Sequence, residues 1–211
     1  MAYVLDEAES TPPFAPVLSS VADALPSAFA GQFLHPGPVR LEGVMHEVWH
    51  KPLLRPLFWL LGALGVLVGK TGNNVPTTLV IEPVPRGQLY RRTFRFDPPV
   101  ELNSLNTYDP AKDRVMEWVG PAKALGMAWD VEFRPPATLV LVTSGWVLRL
   151  GRLHLGIPGW IWPWTLGRAD TIQRSDDHLA DTVHIELVIR HRLLGDIFGF
   201  SGTFQVLLAQ E

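Results

Sequence analysis

Apolar and polar residues alternate along most of this chain with the two-residue period of β-strands. Gly, Pro, Asn and Asp residues separate the alternating runs and mark the turns between them. The predicted strands are 39–50, 77–84, 88–96, 100–108, 114–119, 127–133, 138–143, 146–155, 171–174, 182–191 and 203–208. Because no helical pattern separates the strands from residue 77 onward, they favour an antiparallel sheet that is strongly curved or closed into a β-barrel. The sequence therefore predicts a β-rich α+β fold.

Two segments near the N-terminus have helical spacing instead. Apolar residues recur every four positions between 17 and 34, with Pro26 as an interruption, and predict a short N-terminal helix. Residues 53–68 predict one apolar helix, because the fourteen residues between Arg55 and Lys70 carry no charge. A membrane span needs about 20 apolar residues, and runs of about 10–14 are usually core or interfacial helices. We expect this helix to pack against the sheet, with an interfacial membrane helix as the alternative and no transmembrane span.

Length and composition indicate one domain. A chain of 211 residues is long enough for one ample core and short for two. We expect residues 17–211 to form a single barrel-like domain. Residues 1–16 include Asp6, Glu7 and Glu9 but no basic residue, so they predict a flexible acidic leader rather than a secretory signal.

Charge and cysteine content restrict the chemistry. The formal net charge is −3, and basic and acidic residues are mixed in the last third of the chain, so we expect no nucleic-acid partner. The absence of cysteine excludes disulfides, thiolate catalysis and thiolate metal sites. It is compatible with a soluble, cytoplasmic protein, and we expect no cofactor.

One segment, His46-Glu47-Val48-Trp49-His50, matches the zinc motif H-E-x-x-H. On a helix both histidines would bind zinc and the glutamate would act as general base. Here the motif falls in a predicted strand, whose alternation puts both histidines on one face but about 13 Å apart. Zinc–nitrogen bonds of about 2 Å cannot bridge that distance. The candidate third ligands, which no motif places, are His154, His178 and His184. A zinc-dependent hydrolase with Glu47 as its base and His46 and His50 as metal ligands is therefore an alternative function, not the leading one.

Two charged residues lie on strand faces that are otherwise apolar. Tyr90, Arg92, Phe94 and Phe96 share one face of the strand 88–96. Glu117 lies between two valines on the same face of its own strand. A buried charge must be compensated, so pairing inside the barrel would satisfy both groups. They are either a structural ion pair that fixes the strand register or a polar anchor for the head group of a ligand.

Three indoles lie close together at Trp160, Trp162 and Trp164. Prolines and a glycine in the same stretch make a regular strand or helix unfavourable there. The indoles can cap the barrel as part of the core, line an apolar pocket, or contact a membrane interface. With Tyr90, Arg92, Phe94 and Glu117, they complete the set of candidate ligand-binding residues.

Several short motifs together resemble a known family. They are Leu25-Pro26, His35, Tyr90-Arg91-Arg92-Thr93-Phe94, Ser104, Glu117-Trp118-Val119-Gly120, Gly156-Ile157-Pro158, Pro163, Leu193-Leu194-Gly195 and Ser201-Gly202. Their order and spacing resemble domain of unknown function 4166, which occurs alone or attached to oxidoreductase-like domains. The resemblance covers most of the chain after residue 25. It implies a shared β-rich fold and supplies no reaction.

The chain departs from that family pattern at three places. The family usually has Trp at the position of Tyr90 and an apolar aromatic residue at that of His184. Its segment corresponding to residues 46–50 lacks the zinc motif, which further disfavours a hydrolase.

The leading functional hypothesis is therefore a non-enzymatic binding module. Hydrophobic residues make up 47% of the chain, and eight of its residues are Trp. This apolar and aromatic content, together with the charged residues Arg92 and Glu117 on apolar strand faces, favours a β-barrel cavity that binds a hydrophobic or lipid-like small molecule. The same hypothesis includes peripheral contact to a membrane. The second alternative is a non-catalytic protein-interaction domain. It predicts an exposed apolar patch in place of a cavity.

Overall fold

Alternating side chains give each strand an apolar face, and ten of the eleven strands that the described residues form bury that face in one closed antiparallel barrel. The computed structural model describes residues 11–151, 153–176, 179 and 181–208. The strands are β1 (Val39–His50), β2 (Gly72–Val84), β3 (Gly87–Phe94), β4 (Val100–Asp109), β5 (Arg114–Val119), β6 (Leu125–Arg134), β7 (Thr138–Leu150), β8 (Leu153–Ile157), β9 (Arg168–Ser175), β10 (Thr182–His191) and β11 (Gly195–Leu208). The closed barrel confirms the β-rich fold that the alternation predicts.

Most barrel strands pair with their neighbours in sequence, and β11 returns to pair with β1. The exception is the pairing of β7 with β9, which skips β8. The first half of β7 pairs with β9, and its second half pairs with β8. Since β7 also pairs with β6, β8 lies outside the closed circuit of ten strands.

In the described part of the chain, four short α-helices lie at the two ends of the barrel. They are α1 (Ala15–Leu18), α2 (Ser27–Phe33), α3 (Arg55–Ala63) and α4 (Trp162–Thr165). Helix α2 leads into β1, whereas α3 connects β1 to β2 and α4 leads into β9, so α3 and α4 lie at the opposite end from α2. We call these the α2 end and the α3 end. Besides the β7–β8 turn at Gly151, the connections at the α3 end are 51–71, 95–99, 120–124, 158–167 and 192–194.

The N-terminal segment closes the α2 end. Its two helices are separated by a 3₁₀ turn at Ser19–Ala24, and α2 starts directly after Pro26, where the sequence predicts an interruption. Phe14, which falls within the predicted acidic leader, is buried against Phe33 with ring centroids 4.7 Å apart. Residues 1–10 of that leader lie outside the described part of the chain.

The apolar helix is shorter than the sequence predicts. A 3₁₀ turn at Pro52–Leu54 precedes α3, which ends at Ala63 rather than at residue 68. Gly65 has a φ of +63°, a conformation that glycine adopts readily, and the chain reverses there. The helix also differs from the fully packed one expected, because Phe58 is its one buried side chain and its outer face is exposed.

Several strand boundaries also differ from the prediction. The predicted strand 146–155 covers the end of β7 and most of β8, joined by a turn at Gly151, whose φ is +61°. Strand β11 begins at Gly195 instead of residue 203. Its glycines suggest a loop by composition, but they lie within the hydrogen-bonded pairing with β10.

A β-bulge in β1 changes which residues face the barrel interior. Met45 pairs with Gly202 and Glu47 with Ser201, so His46 is the extra residue. His46 and Glu47 are both exposed, whereas Val48 is buried. The uninterrupted alternation predicted for residues 39–50 is therefore wrong beyond Met45.

Close packing of two glycines holds the end of α3 against the chain that follows it. A Cβ atom on Gly62 would lie 2.9 Å from backbone atoms of Gly69, too close for any side chain. We expect Gly62→Val to lower the free energy of unfolding by about 1–3 kcal/mol, the usual cost of overpacking. Urea denaturation would measure the change. The control is Gly156→Val, since a Cβ there meets nothing within 4 Å. Equal stability of the two variants would contradict this account.

Candidate ligand-binding cavity

The barrel encloses a cavity of about 250 Å³. All ten barrel strands contribute side chains to its lining, whereas β8 contributes none. Phe14 and Phe33 close it at the α2 end, and Leu57, Phe58 and Leu61 of α3 close it at the other. The volume is near the lower limit of small-molecule sites, which measure about 300–1,000 Å³.

The wall formed by β10, β11 and β1 is apolar. Its lining residues are Ile185, Leu187, Ile189, Ile197, Phe198, Phe200 and Met45. Phe198 also packs against Phe58 of α3, with ring centroids 5.5 Å apart, so this wall continues into the helix at the α3 end. A surface of this kind favours the hydrocarbon part of a ligand.

The wall formed by β3, β4 and β5 is polar. Arg92 Nη2 lies 3.2 Å from Glu117 Oε1, and Arg92 Nη1 donates a hydrogen bond to Ser104 Oγ at 2.8 Å. The indole of Trp129 donates to the other carboxylate oxygen, Glu117 Oε2, at 3.0 Å. The two charges of the pair are therefore neutralised within the wall, as the strand faces predict.

Tyr90 lies beside this ion pair, with the Arg92 guanidinium carbon 5.5 Å from its ring centroid. Burial raises the pKa of the Tyr90 phenol well above its usual value; Arg92 lowers it in part, and Glu117 raises it further. The phenol is therefore protonated at neutral pH. Its hydroxyl is buried and has no hydrogen-bond partner among the described residues.

Three amide oxygens on the cavity lining are also buried without a partner in the described part of the chain. They are Oε1 of Gln32 on α2, Oδ1 of Asn106 on β4 and Oε1 of Gln173 on β9. A buried acceptor without a donor costs about 1–3 kcal/mol. A molecule in the cavity could satisfy these oxygens with its own hydrogen-bond donors.

The structure separates the seven candidate ligand-binding residues into two groups. Tyr90, Arg92 and Glu117 line the cavity. Phe94 is fully buried and stacks on Phe96 outside the lining, and Trp160, Trp162 and Trp164 lie at the α3 end, also outside it. Whether any of them binds a ligand stays a prediction.

Sequence reasoning missed much of the polar lining. Asn106 could have been found, because it shares the inward face of β4 with Ser104 and Leu102. No local signal marks Gln32 or Gln173, since a polar residue on a short helix or strand is usually solvated. Only the closure of the barrel turns these two side chains toward the cavity.

The zinc motif does not form a metal site. The strand and its bulge place the two histidines on opposite faces of β1, contrary to the shared face predicted. His46 Nε2 lies 2.8 Å from Thr203 Oγ1 on the outside, while His50 stacks on buried Phe58 inside, with ring centroids 5.1 Å apart. Among the described residues, no group of three or more His, Asp or Glu side chains is placed to hold a metal ion. The interpretation as a zinc hydrolase therefore loses its structural basis.

The candidate third ligands are also dispersed. His154 packs beside Trp118, and His178 lies outside the described residues. His184 Nδ1 lies 2.8 Å from Thr203 Oγ1, the hydroxyl that His46 also contacts. One hydroxyl has a single proton, so it donates to one imidazole and accepts from the other.

The fold and the cavity define a closed β-barrel protein with a largely apolar internal chamber. The chain belongs to the family described as Domain of unknown function (DUF4166), whose family model matches residues 23–204. This confirms the resemblance that the sequence motifs indicate. The chain is also similar to Uncharacterized protein YndH of Bacillus subtilis (strain 168), with 24% identity over 172 residues, which is 77% of this chain and 80% of that protein. No solved structure matches the chain.

In the described part of the chain, every helix is too short to cross a lipid bilayer.

Proposed function

We propose that this barrel binds a neutral, lipid-like small molecule in its internal cavity. The observation that carries the proposal is the cavity itself, which has one apolar wall and several buried polar atoms without partners. An apolar cavity of about 150 Å³ is enough to bind benzene. The larger volume here suits a longer hydrocarbon chain with a small head group.

The ion pair determines the preferred charge of the ligand. Arg92 is the cation on the cavity lining, and Glu117 already neutralises it at 3.2 Å. A ligand carboxylate would have to displace Glu117 or lie close to it, and like charges repel strongly in a medium of low dielectric constant. A neutral molecule avoids this cost.

The unpartnered atoms determine the preferred head group. Gln32, Asn106 and Gln173 each offer an amide oxygen, which accepts hydrogen bonds. Tyr90 offers a protonated hydroxyl that can donate or accept. Hydroxyl and amide head groups supply the donors that these atoms lack, and so we infer an alcohol- or amide-bearing ligand. A lipid bilayer would be the natural source of such a molecule.

Three ligands with the same ten-carbon chain test the proposal: decanol, decanoate and decylamine. We expect decanol to bind saturably and decanoate about tenfold more weakly, since one like-charge contact costs roughly 1.4 kcal/mol or more. Trp129 and Trp146 line the cavity, so quenching of tryptophan fluorescence would report binding. Native mass spectrometry would give the stoichiometry. A chain that does not bind decanol, or that binds decanoate or decylamine more tightly than decanol, would overturn the proposal.

A further inference from the structure

Large apolar side chains are exposed at the α3 end of the barrel. Leu53 and Trp59 near α3, Trp160 before α4, and Leu193 in the turn between β10 and β11 are each 70–77% exposed. Eight of the twelve exposed large apolar residues in the described part of the chain lie on connections at this end. Soluble monomers rarely expose apolar side chains in such concentration without a partner.

Backbone contacts join these connections into one surface. The N–H of Gly120 donates to the carbonyl of Gly65, 3.2 Å away, so the segment after α3 contacts the β5–β6 connection. The N–H of Arg192 donates to the carbonyl of Pro163 at 3.0 Å, which fixes α4 against the β10–β11 turn. The side chain of Lys51 donates to the carbonyl of Leu194 at 2.5 Å and connects these two groups of segments. The exposed side chains therefore belong to a continuous end face.

The same end face is basic, although the whole chain has a net charge of −3. Within the described residues, its connections include one acidic residue, Asp97, and six basic ones: Lys51, Arg55, Lys70, Arg95, Lys123 and Arg192. The described connections at the α2 end have the opposite balance. They contain Asp23, Asp113, Asp176 and Asp181 against Arg86 and Lys112.

We propose that the α3 end docks on the surface of an anionic lipid bilayer. Tryptophan is enriched at the membrane–water interface, and a short helix with an apolar face can lie in the interface plane. Each basic residue near an anionic surface contributes about 1 kcal/mol of attraction. A second copy of the chain is a poorer occupant, because a two-fold dimer through this face would bring two basic surfaces together.

Docking at this end would place the bilayer next to the cavity. Leu57 and Leu61 of α3 line the cavity, while Trp59 and Leu60 on the same helix face outward. A lipid-like molecule would then pass between bilayer and cavity past α3. This last step rests on the proposed function, whereas docking itself needs only the outer surface.

Vesicles of phosphatidylcholine, with and without phosphatidylglycerol, test the proposal in a sedimentation assay with the full chain. We expect binding to the anionic vesicles, weakened by salt, and little binding to phosphatidylcholine alone. The double variant Trp59→Ser/Trp160→Ser should bind about tenfold more weakly, since burial of two indoles is lost. Its matched control, Leu179→Ser/Leu208→Ser, removes exposed apolar side chains away from this face and should bind as the unchanged chain does.

Variants that remove basic residues distinguish electrostatic attraction to the anionic lipid from insertion of apolar side chains into the bilayer. Arg55→Gln/Arg192→Gln should weaken binding to anionic vesicles, and Arg86→Gln/Lys112→Gln at the α2 end should not. Equal binding by the Trp variant and its control would overturn the proposal, as would a stable dimer that Trp59→Ser dissociates. Decanol binding without vesicles is measured separately. If the chain binds decanol but no vesicle, only the docking proposal is refuted. If it binds vesicles but not decanol, only the proposal of an internal ligand is refuted.

Discussion

Replacing Glu117 by leucine should lower the free energy of unfolding by about 3–5 kcal/mol, the usual cost of breaking a buried ion pair from one side. The substitution leaves the Arg92 guanidinium inside the barrel without its counterion. It also leaves the Trp129 indole N–H without its acceptor. Urea denaturation followed by circular dichroism would measure the loss.

The double variant Arg92→Met/Glu117→Leu is the control for this result. Replacing both members of a buried pair by apolar residues is often close to neutral, so most of the stability should return. The two side chains are 20% and 13% exposed, and a loss below about 1 kcal/mol in the single variant would mean that solvent screens the pair.

The same variants distinguish the two interpretations of the pair. If the pair only fixes the strand register, the double variant should bind decanol within about threefold of the unchanged chain, a difference under 1 kcal/mol. The folded fraction of Glu117→Leu should prefer decanoate to decanol, because its Arg92 is then free to pair with a carboxylate. An unchanged preference would place the ligand head group away from Arg92.

Filling the cavity should weaken ligand binding strongly while the barrel remains folded. Leu187 lies on the apolar wall, and Leu187→Trp would put an indole into a space of about 250 Å³. We expect affinity for decanol to fall by about a hundredfold, or roughly 3 kcal/mol. Isothermal titration calorimetry would measure it.

The matched control lies one residue further along the same strand. Val188 faces outward and does not line the cavity, so Val188→Trp adds the same ring on the other side of the barrel wall. It should leave decanol binding unchanged. If both variants bind decanol normally, the ligand lies elsewhere on the protein.

Local patterns predict the barrel well where the strands have one buried and one solvated face. Strands β1 and β10 match their predicted ranges, because apolar and polar side chains alternate throughout most of each. Prediction failed at β11, where glycines interrupt the alternation. It also failed at the His46 bulge, because an extra residue depends on the pairing between two strands and leaves no mark in one strand alone.

The candidate site was predictable to the extent that it depends on charge. Arg92 and Glu117 each interrupt an apolar strand face, and this conflict is visible in the sequence. The distance between Arg92 and Glu117 cannot be read from the sequence, because it depends on the register of β3, β4 and β5. The three indoles at 160–164 are conspicuous in the same way, but composition cannot tell a pocket from an end face.

The position of β8 outside the barrel has a mechanical consequence. Beside the second half of β7, β8 occupies the place that β9 would take, so the backbone ladder between β7 and β9 stops at Val142. Beyond Val142, side-chain hydrogen bonds connect β7 to the chain at the start of β9. The Thr143 hydroxyl donates to the carbonyl of Ala169 and accepts from its N–H, and the Trp146 indole donates to the Gly167 carbonyl. Individual side-chain hydrogen bonds open with less cooperativity than a strand ladder. We therefore expect the barrel wall beside α4 to open more readily than the other strand pairs, while every strand keeps its backbone partners elsewhere.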